Sequence, residues 1–420
     1  MSPRQSPRSG RARGVAGADR RRTARPSREG GSGARPRLRP HSHRGDLHVG
    51  GHEHDRRRGM RAIHQFLPTL DPGDAVGNHT LEAQRLLRGL GLESEVYTQT
   101  VHHSMVGKAL SFQKFTGGPD TAVVYHLAVG SVLADLLMSR TEPLIVDYHN
   151  ITPARFFDEW DPPILHAVEW GRSQLAALAP RCRLGLADSE FNRTELAASG
   201  YRPTAVTPIL IDLEAFDRDF DDVEFARLQA AKDAGGADWL FVGRVTPNKC
   251  QHDVVKAFAA YRRLHDPQAR LHIVGVVASE PYAAALRAFV RSLELTDCVD
   301  FTGPVSAGGL AAHYRNADVY VCLSEHEGFC VPLLESMHHR VPVVAFAATA
   351  VPETLDGAGI CLPDKSPAVV AQAVHRVVTD DELRAKLLAA GERRLGDFTL
   401  ERSRARFLDA MAPVLDGAIR

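Results

Sequence analysis

From residue 60 onward, short apolar runs alternate with longer stretches whose apolar positions recur every three or four residues. The first spacing predicts buried strands and the second amphipathic helices. Strands are expected at 61–66, 95–99, 121–126, 143–148 and 183–187, with helices near 79–90, 131–139, 163–179 and 190–199 between them. Leu81, Leu86, Leu87 and Leu90 keep helical spacing, and Gly91 suits a helix stop. The pattern lapses from about Asp212 to Gly236, which is acidic and lacks strand character. It resumes with strands at 238–242, 270–274, 298–301, 317–322, 341–345 and 358–362, again separated by helices. Helical patterns near 366–378, 381–391 and 400–415 close the chain with no strand left to pair with. Strand–helix alternation twice over implies an α/β protein of two doubly wound, Rossmann-like domains, each with a parallel sheet. The boundaries expected are 60–215 for the first domain, 216–236 for a linker and 237–395 for the second domain. A terminal helix within 396–420 should pack outside or cross back to the first domain.

Composition changes this picture only at the start of the chain. At 420 residues, with 44% apolar and 24% charged positions, the protein suits two ordinary domains. The formal net charge of zero hides two unlike parts. Residues 1–59 hold 16 arginines against 5 acids, a net +11, and the remainder carries −11. That arginine-rich segment has few large apolar side chains and is expected to be a disordered tail. Its arginines could bind nucleic acid or acidic lipid, its histidines (41, 43, 48, 52, 54) a metal, and Arg44-Gly45-Asp46 an adhesion receptor. No aromatic interleaving, cysteine or fixed ligand spacing supports these readings. Met60 stands immediately before the first credible strand, and we expect it to be the true start. No stretch approaches the ~18 apolar residues of a membrane span. The six cysteines are scattered without a C-x-x-C pair, which suits reduced thiols. A cytoplasmic protein, peripheral at most at the inner face of a membrane, is the expectation.

The candidate chemistry sits where strands end, the edge at which open α/β sheets bind ligands. After the opening strand comes Asp71-Pro72-Gly73-Asp74-Ala75-Val76-Gly77-Asn78, a glycine-rich loop before a helix. Backbone N–H groups in such a loop, Gly77 and Asn78 included, can hold a phosphate. Gly243 and Arg244 follow the first strand of the second domain, and Lys249 opens the next helix. Two cations there, beside a glycine, are placed to clamp a diphosphate. His149 emerges from the strand ending Asp147-Tyr148, where it could bond a substrate hydroxyl or phosphate, and His126 ends the preceding strand in the same way. Glu327 and Glu335 bracket Gly328-Phe329-Cys330-Val331-Pro332. The first acid lies in a strand-end loop and the second one turn into a helix, so both could accept hydroxyl hydrogen bonds in one crevice. Asp217-Arg218-Asp219 resembles a metal-binding D-x-D but lacks a strand ahead of it, and Ser189 lacks the glycines of a nucleophile elbow.

Together these residues make the chain from Met60 onward resemble the retaining, nucleotide-sugar-dependent glycosyltransferases of the large GT-B family 4. The specific parts are Glu327-Gly328-Phe329 through Pro332 to Glu335, Gly243-Arg244 to Lys249, and Ser324-Glu325-His326. Cys330 stands where that family usually has glycine. The resemblance implies that Glu335 binds the nucleotide ribose and Glu327 the sugar hydroxyls. It also implies that backbone N–H groups around Phe329, Cys330 and Val331 face the sugar and diphosphate. Arg244 and Lys249 match the diphosphate clamp, Gly77 the loop over the phosphates, and His149 a residue near the transferred sugar. The nucleotide base is placed near Val274-Gly275 and Gly303-Pro304-Val305. No cofactor and no metal are implied.

The expected reaction is transfer of a hexose, with mannose a candidate, from a nucleoside diphosphate sugar to a glycan or lipid-linked acceptor. Polysaccharide biosynthesis is the process such a reaction would serve. An epimerase or phosphorylase on the same fold is the alternative enzyme. A nucleic-acid-binding protein acting through its tail is the alternative of another class, although no nucleic-acid partner is expected.

Overall fold

The computed structural model describes residues 60–417. The readings of the arginine-rich tail, including its nucleic-acid, metal and adhesion candidates, fall outside these residues.

Two parallel sheets form the frame. The first has seven strands in the order β3-β2-β1-β4-β5-β6-β7. They are β1 (Ala62–Leu70), β2 (Val96–Val101), β3 (Leu110–Ser111), β4 (Thr121–Leu127), β5 (Leu144–Tyr148), β6 (Cys182–Ala187) and β7 (Thr204–Val206). The second has six strands in the order β10-β9-β8-β11-β12-β13. These are β8 (Asp238–Val242), β9 (Arg270–Val274), β10 (Val299–Gly303), β11 (Val319–Cys322), β12 (Val343–Phe346) and β13 (Ile360–Leu362). In each sheet the strand order reverses beside the first strand of the lobe, which opens a crevice at the carboxyl ends of β1 and β4 and of β8 and β11. The sequence predicted every strand except β3 and β7, which are two and three residues long and form the two opposite edges of the first sheet. Runs that short carry no periodicity to detect.

Four helices cover the first sheet: α1 (Ala75–Gly89), α2 (Val132–Met138), α3 (Pro162–Leu178) and α4 (Glu190–Ala198). Next come α5 (Ala215–Arg218) and α6 (Asp222–Lys232), then α7 (Gln251–Leu264), α8 (Glu280–Ser292), α9 (Ala307–Asn316) and α10 (Val331–His338). The last are α11 (Val351–Leu355), α12 (Pro367–Thr379), α13 (Asp381–Leu395) and α14 (Leu400–Leu415). The segment 216–236, expected as a linker, is mostly helical. α5 and α6 lie on α9, and Lys232 reaches Asp318 at 2.9 Å. Its acidic residues are the reason: Asp221 caps α6 through the Glu224 N–H, and Asp217 takes the His338 ring at 2.8 Å.

The two cores are built from the alternation that predicted the strands. Trp239, Phe241, Leu271 and Ile273 meet Val254, Phe258 and Tyr261 of α7 in the second lobe. Phe66, Tyr125, Val146 and Tyr148 pack below α2 and α3 in the first. α14 returns to the first lobe, where Phe407, Met411 and Val414 pack with Ile63, Ala83, Leu87 and Val124. There Arg404 Nε also donates to Glu82 on α1 at 2.9 Å. No described helix is long and apolar enough to cross a membrane.

Candidate functional site

The second lobe assembles its candidate residues from two loops. The β8–α7 loop and the β11–α10 loop are stitched by Glu325 N–H donating to Asn248 O at 3.0 Å and by Asn248 Nδ2 donating to His326 O at 3.2 Å. This brings Lys249 Nζ to 2.6 Å from Glu327 Oε2. Burial opposes the Lys249 charge, but the Glu327 carboxylate outweighs that and raises the pKa, so the ammonium persists. Arg244 is exposed and close enough for its charge to be felt at Lys249. Gly243 takes φ +149°, and Gly275 of the neighbouring loop comes so near that a Cβ there would stand 2.2 Å from Gly243 O. Glycine at 275 is what permits this approach.

Both helices that open on this crevice start at cysteines in the left-handed region, Cys250 at φ 51° for α7 and Cys330 at φ 71° for α10. Neither cysteine side chain accepts a hydrogen bond from the first turn. The positive ends of two helices therefore face the crevice without a side-chain oxygen over them, a setting suited to an anion. The Phe329 ring faces away, buried edge-on against Phe398 at 5.4 Å, so only its backbone borders the crevice. Val331 is buried at the first position of α10. Glu335 lies further along α10 and is 7% exposed, with Oε2 accepting from Tyr314 O–H at 2.7 Å. Burial pushes its carboxyl up to about 7, against the pull of the Tyr314 bond.

The first lobe contributes a buried polar chain beneath its strand ends. His149 Nδ1 lies 2.9 Å from Asp188 and its Nε2 lies 3.0 Å from His126 Nδ1. His126 Nε2 lies 2.8 Å from Gln65 Oε1. With the His126 ring donating to Gln65, its Nδ1 accepts, and His149 carries both protons. Burial works against that charge, but Asp188 and then Asp147 raise the His149 pKa to about 9. His79 accepts Leu210 N–H at 2.9 Å and donates to Asp147 at 2.9 Å. These bonds commit the ring nitrogens of all three histidines.

This corrects two sequence expectations. The His149 ring is engaged within the first lobe on both sides, so what borders the crevice is its backbone, with a fixed positive charge below. The glycine-rich loop ends at Asp74. Gly77 and Asn78 belong to the first turn of α1, where Gly77 N–H donates to Asp74 at 2.9 Å. Asp74 is a strong cap three residues before Gly77, so the helix begins four residues earlier than its leucine spacing indicated. A Cβ at Gly77 would meet Leu70 at 3.1 Å, which makes this glycine a packing position.

The lobes meet at Gly328. Ser189 O–H donates to Gly328 O at 2.7 Å, and His326 Nε2 lies 3.1 Å from Asn150 Oδ1. A Cβ on Gly328 would stand 2.8 Å from Asn150 Cβ and 3.0 Å from His149 O. Glu353 accepts the Glu190 N–H at the start of α4 at 2.8 Å. Glu327, Gly328, Lys249 and His149 are thus drawn to one place. Ser189, Asp188, His79, Asn150 and His326 belong there too and were missed as site residues. Asp188 stands one residue beyond β6, beside the strand that ends before His149, so strand-end position was the available signal. His79 had none, being one polar residue within a helix. Asp217 is held by His338 and Arg315, away from the crevice loops. Trp160 packs edge-on against Tyr282 at 5.3 Å.

Two outcomes follow from this geometry. Replacing Gly328 by alanine should part the lobes and lower turnover by roughly an order of magnitude, with little change in melting temperature. Equal turnover would mean that the closed contact is unimportant. The His149 charge also predicts a pH trend. Its folded pKa of about 9 exceeds the unfolded value of 6.5. The added stability is therefore complete below pH 6.5 and lost as pH rises through about 9. Melting temperature should fall over that window, and Asp188→Asn should flatten the fall.

Residues 222–394 match the family described as "Glycosyl transferases group 1". A D-inositol 3-phosphate glycosyltransferase from Geodermatophilus obscurus is 33% identical over 252 residues, covering 58% of this chain and 54% of that protein. One from Kineococcus radiotolerans is 30% identical over 283 residues, covering 57% of this chain and 64% of the relative. The chain thus spans between half and two thirds of the length of these relatives. Among solved structures, Anabaena HepE in complex with UDP-glucose superposes with a TM-score of 0.67 at 17% identity, covering 83% of this chain and 99% of that one. Sucrose-phosphate synthase from Thermosynechococcus elongatus gives 0.65 at 19% identity, covering 84% and 99%. The fold is that of the two-domain, Rossmann-like GT-B proteins.

Proposed function

We propose that this chain, whose residues 222–394 belong to the group 1 glycosyltransferases, transfers a hexose from a nucleoside diphosphate sugar to an acceptor held by the first lobe. The observation that carries this reading is the half-buried Lys249–Glu327 pair at 2.6 Å, set between two helix N-termini and against the first lobe. Breaking the anomeric C–O bond leaves positive charge on the sugar ring and adds negative charge to the diphosphate. Arg244, Lys249 and the N–H groups that open α7 and α10, those of Cys330 and Val331 among them, stand where that negative charge grows. In this reading no metal is needed to neutralise it. Glu327 accepts sugar hydroxyls while fixing the Lys249 ammonium, and Glu335 accepts from the ribose.

The closed contact at Gly328 supports exclusion of water during transfer. We further propose front-face attack, with the departing phosphate taking the acceptor proton and the anomeric configuration retained. His149 acts in this scheme as a fixed cation below the crevice, adding to the field on the diphosphate. Mannose is our candidate sugar, and a glycan or lipid-linked molecule our candidate acceptor, with the protein cytoplasmic or peripheral at the inner face of a membrane. The names of the sequence relatives favour a second acceptor class, a phosphorylated cyclitol.

Incubation with labelled UDP-, GDP-, ADP- and TDP-hexoses and each acceptor class tests the reading. A labelled glycoside with the donor's anomeric configuration is expected. An altered sugar nucleotide formed without acceptor would instead identify an epimerase, and sugar 1-phosphate released from a glycan incubated with inorganic phosphate a phosphorylase.

A further inference from the structure

We propose that Cys322, Cys330 and Glu327 form a binding site for a thiophilic divalent cation, zinc above all, and that filling it closes the donor crevice. Along the sequence the cysteines are scattered. The fold instead places Cys322 at the end of β11 and Cys330 at the start of α10, with their Sγ atoms 3.9 Å apart. Two sulfurs on one tetrahedral zinc, each about 2.3 Å from the metal, stand about 3.8 Å apart. A disulfide would need the sulfurs to close to about 2.05 Å. The observed separation is that of a thiol–thiol hydrogen bond, too long for a disulfide and equal to the spacing of two sulfurs on one ion. A Glu327 carboxylate oxygen lies within 4.8 Å of both sulfurs, giving three ligands and leaving a fourth position for water.

Charge closes as well. With both thiols protonated, Glu327 and Lys249 cancel. With a divalent ion bound, two thiolates balance the metal, and Glu327 and Lys249 still cancel. Two protons leave for solvent, so binding strengthens as pH rises. Cys330 holds a left-handed φ of 71°, a strain that glycine would relieve.

The other convergent groups are less suited. His79, His126 and His149 have spent their ring nitrogens on hydrogen bonds. Asp253, beside the single thiol of Cys250 and His252, is held by two lysines, Lys256 and Lys365, against the one lysine on Glu327, while Asp217 is held by Arg315 and His338 with no cysteine in its group.

A filled site would turn Glu327 from the sugar and draw Cys330 from the diphosphate, so zinc and donor should exclude one another. Only this exclusion rests on the glycosyl-transfer reading. The full-length protein, freed of metal by a chelator and kept reduced with a phosphine, is titrated with cobalt(II). One equivalent should bind with an intense thiolate-to-cobalt charge-transfer band, which zinc then abolishes. Cys322→Ser and Cys330→Ser should each lose the band, while Cys361→Ser keeps it, with circular dichroism confirming that each variant folds. No band, or a band that survives both serine variants, overturns the site. Zinc should weaken nucleotide-sugar binding at least tenfold in wild type and not in Cys322→Ser. Equal weakening in both overturns the exclusion. A band without any nucleotide-sugar binding upholds the metal site and counts only against the transferase reading.

Discussion

Replacing Lys249 by methionine should lower the rate constant for sugar transfer by about 10²–10³-fold, the usual cost of removing one preorganised charge or donor from a growing anion. The pair with Glu327 complicates the variant, because removing the ammonium leaves the buried Glu327 carboxyl without its partner. Some loss of melting temperature is therefore expected alongside the kinetic effect. Arg244→Ala separates the two, since that side chain is exposed. It should reduce turnover while leaving the melting temperature within about a degree or two of wild type, as surface changes usually do. A collapse of folding in Arg244→Ala, with normal turnover in the folded fraction, would make Arg244 structural and remove half of the proposed clamp.

Glu335→Ala should weaken nucleotide binding by about 1.5–3 kcal/mol, the range for a hydrogen bond to a charged group. The pH dependence makes the test sharper. Burial raises the Glu335 carboxyl from 4.5 to about 7. Protonation is thus favoured in the fold, and its stabilisation is present below pH 4.5 and lost as pH rises through about 7. A ribose hydroxyl donates best to the ionised form, so donor affinity should climb as pH rises through about 7 and then level off. Glu335→Gln should flatten that climb. Calorimetry giving the same affinity for wild type and Glu335→Ala would place the ribose elsewhere. Tyr314→Phe removes the bond that now steadies Glu335 and should move the climb to higher pH.

Two kinds of information were legible in the chain. Strand–helix alternation is a consequence of burying both faces of a parallel sheet, so both sheets were readable, apart from their shortest strands. Residues at strand ends were readable for the same reason: knowing where a buried run stops locates a loop at the ligand edge. This is why Lys249 and Glu327, 78 residues apart, could be assigned to one crevice before their 2.6 Å contact was seen. Pairings across lobes were not readable, because no local spacing encodes them. Ser189 resembles any helix cap until its hydroxyl is found on Gly328 O. The Cys322–Cys330 contact was hidden for another reason. Eight residues is no metal-ligand spacing, and only the turn from β11 into α10 folds those sulfurs together. The start of α1 was misplaced because leucine spacing marks the buried face of a helix, whereas its beginning is set by a cap, here Asp74.

The central claim is that the crevice between the lobes holds a nucleoside diphosphate sugar by neutralising its diphosphate with Arg244 and Lys249. Isothermal calorimetry of the full-length protein with UDP-, GDP-, ADP- and TDP-sugars, in a buffer containing a chelator, tests it most directly. The account predicts that one donor binds without metal and that the Arg244→Ala, Lys249→Met double variant, still folded, loses that binding. Undiminished affinity in the double variant, or no binding of any donor by the wild-type protein, would contradict it.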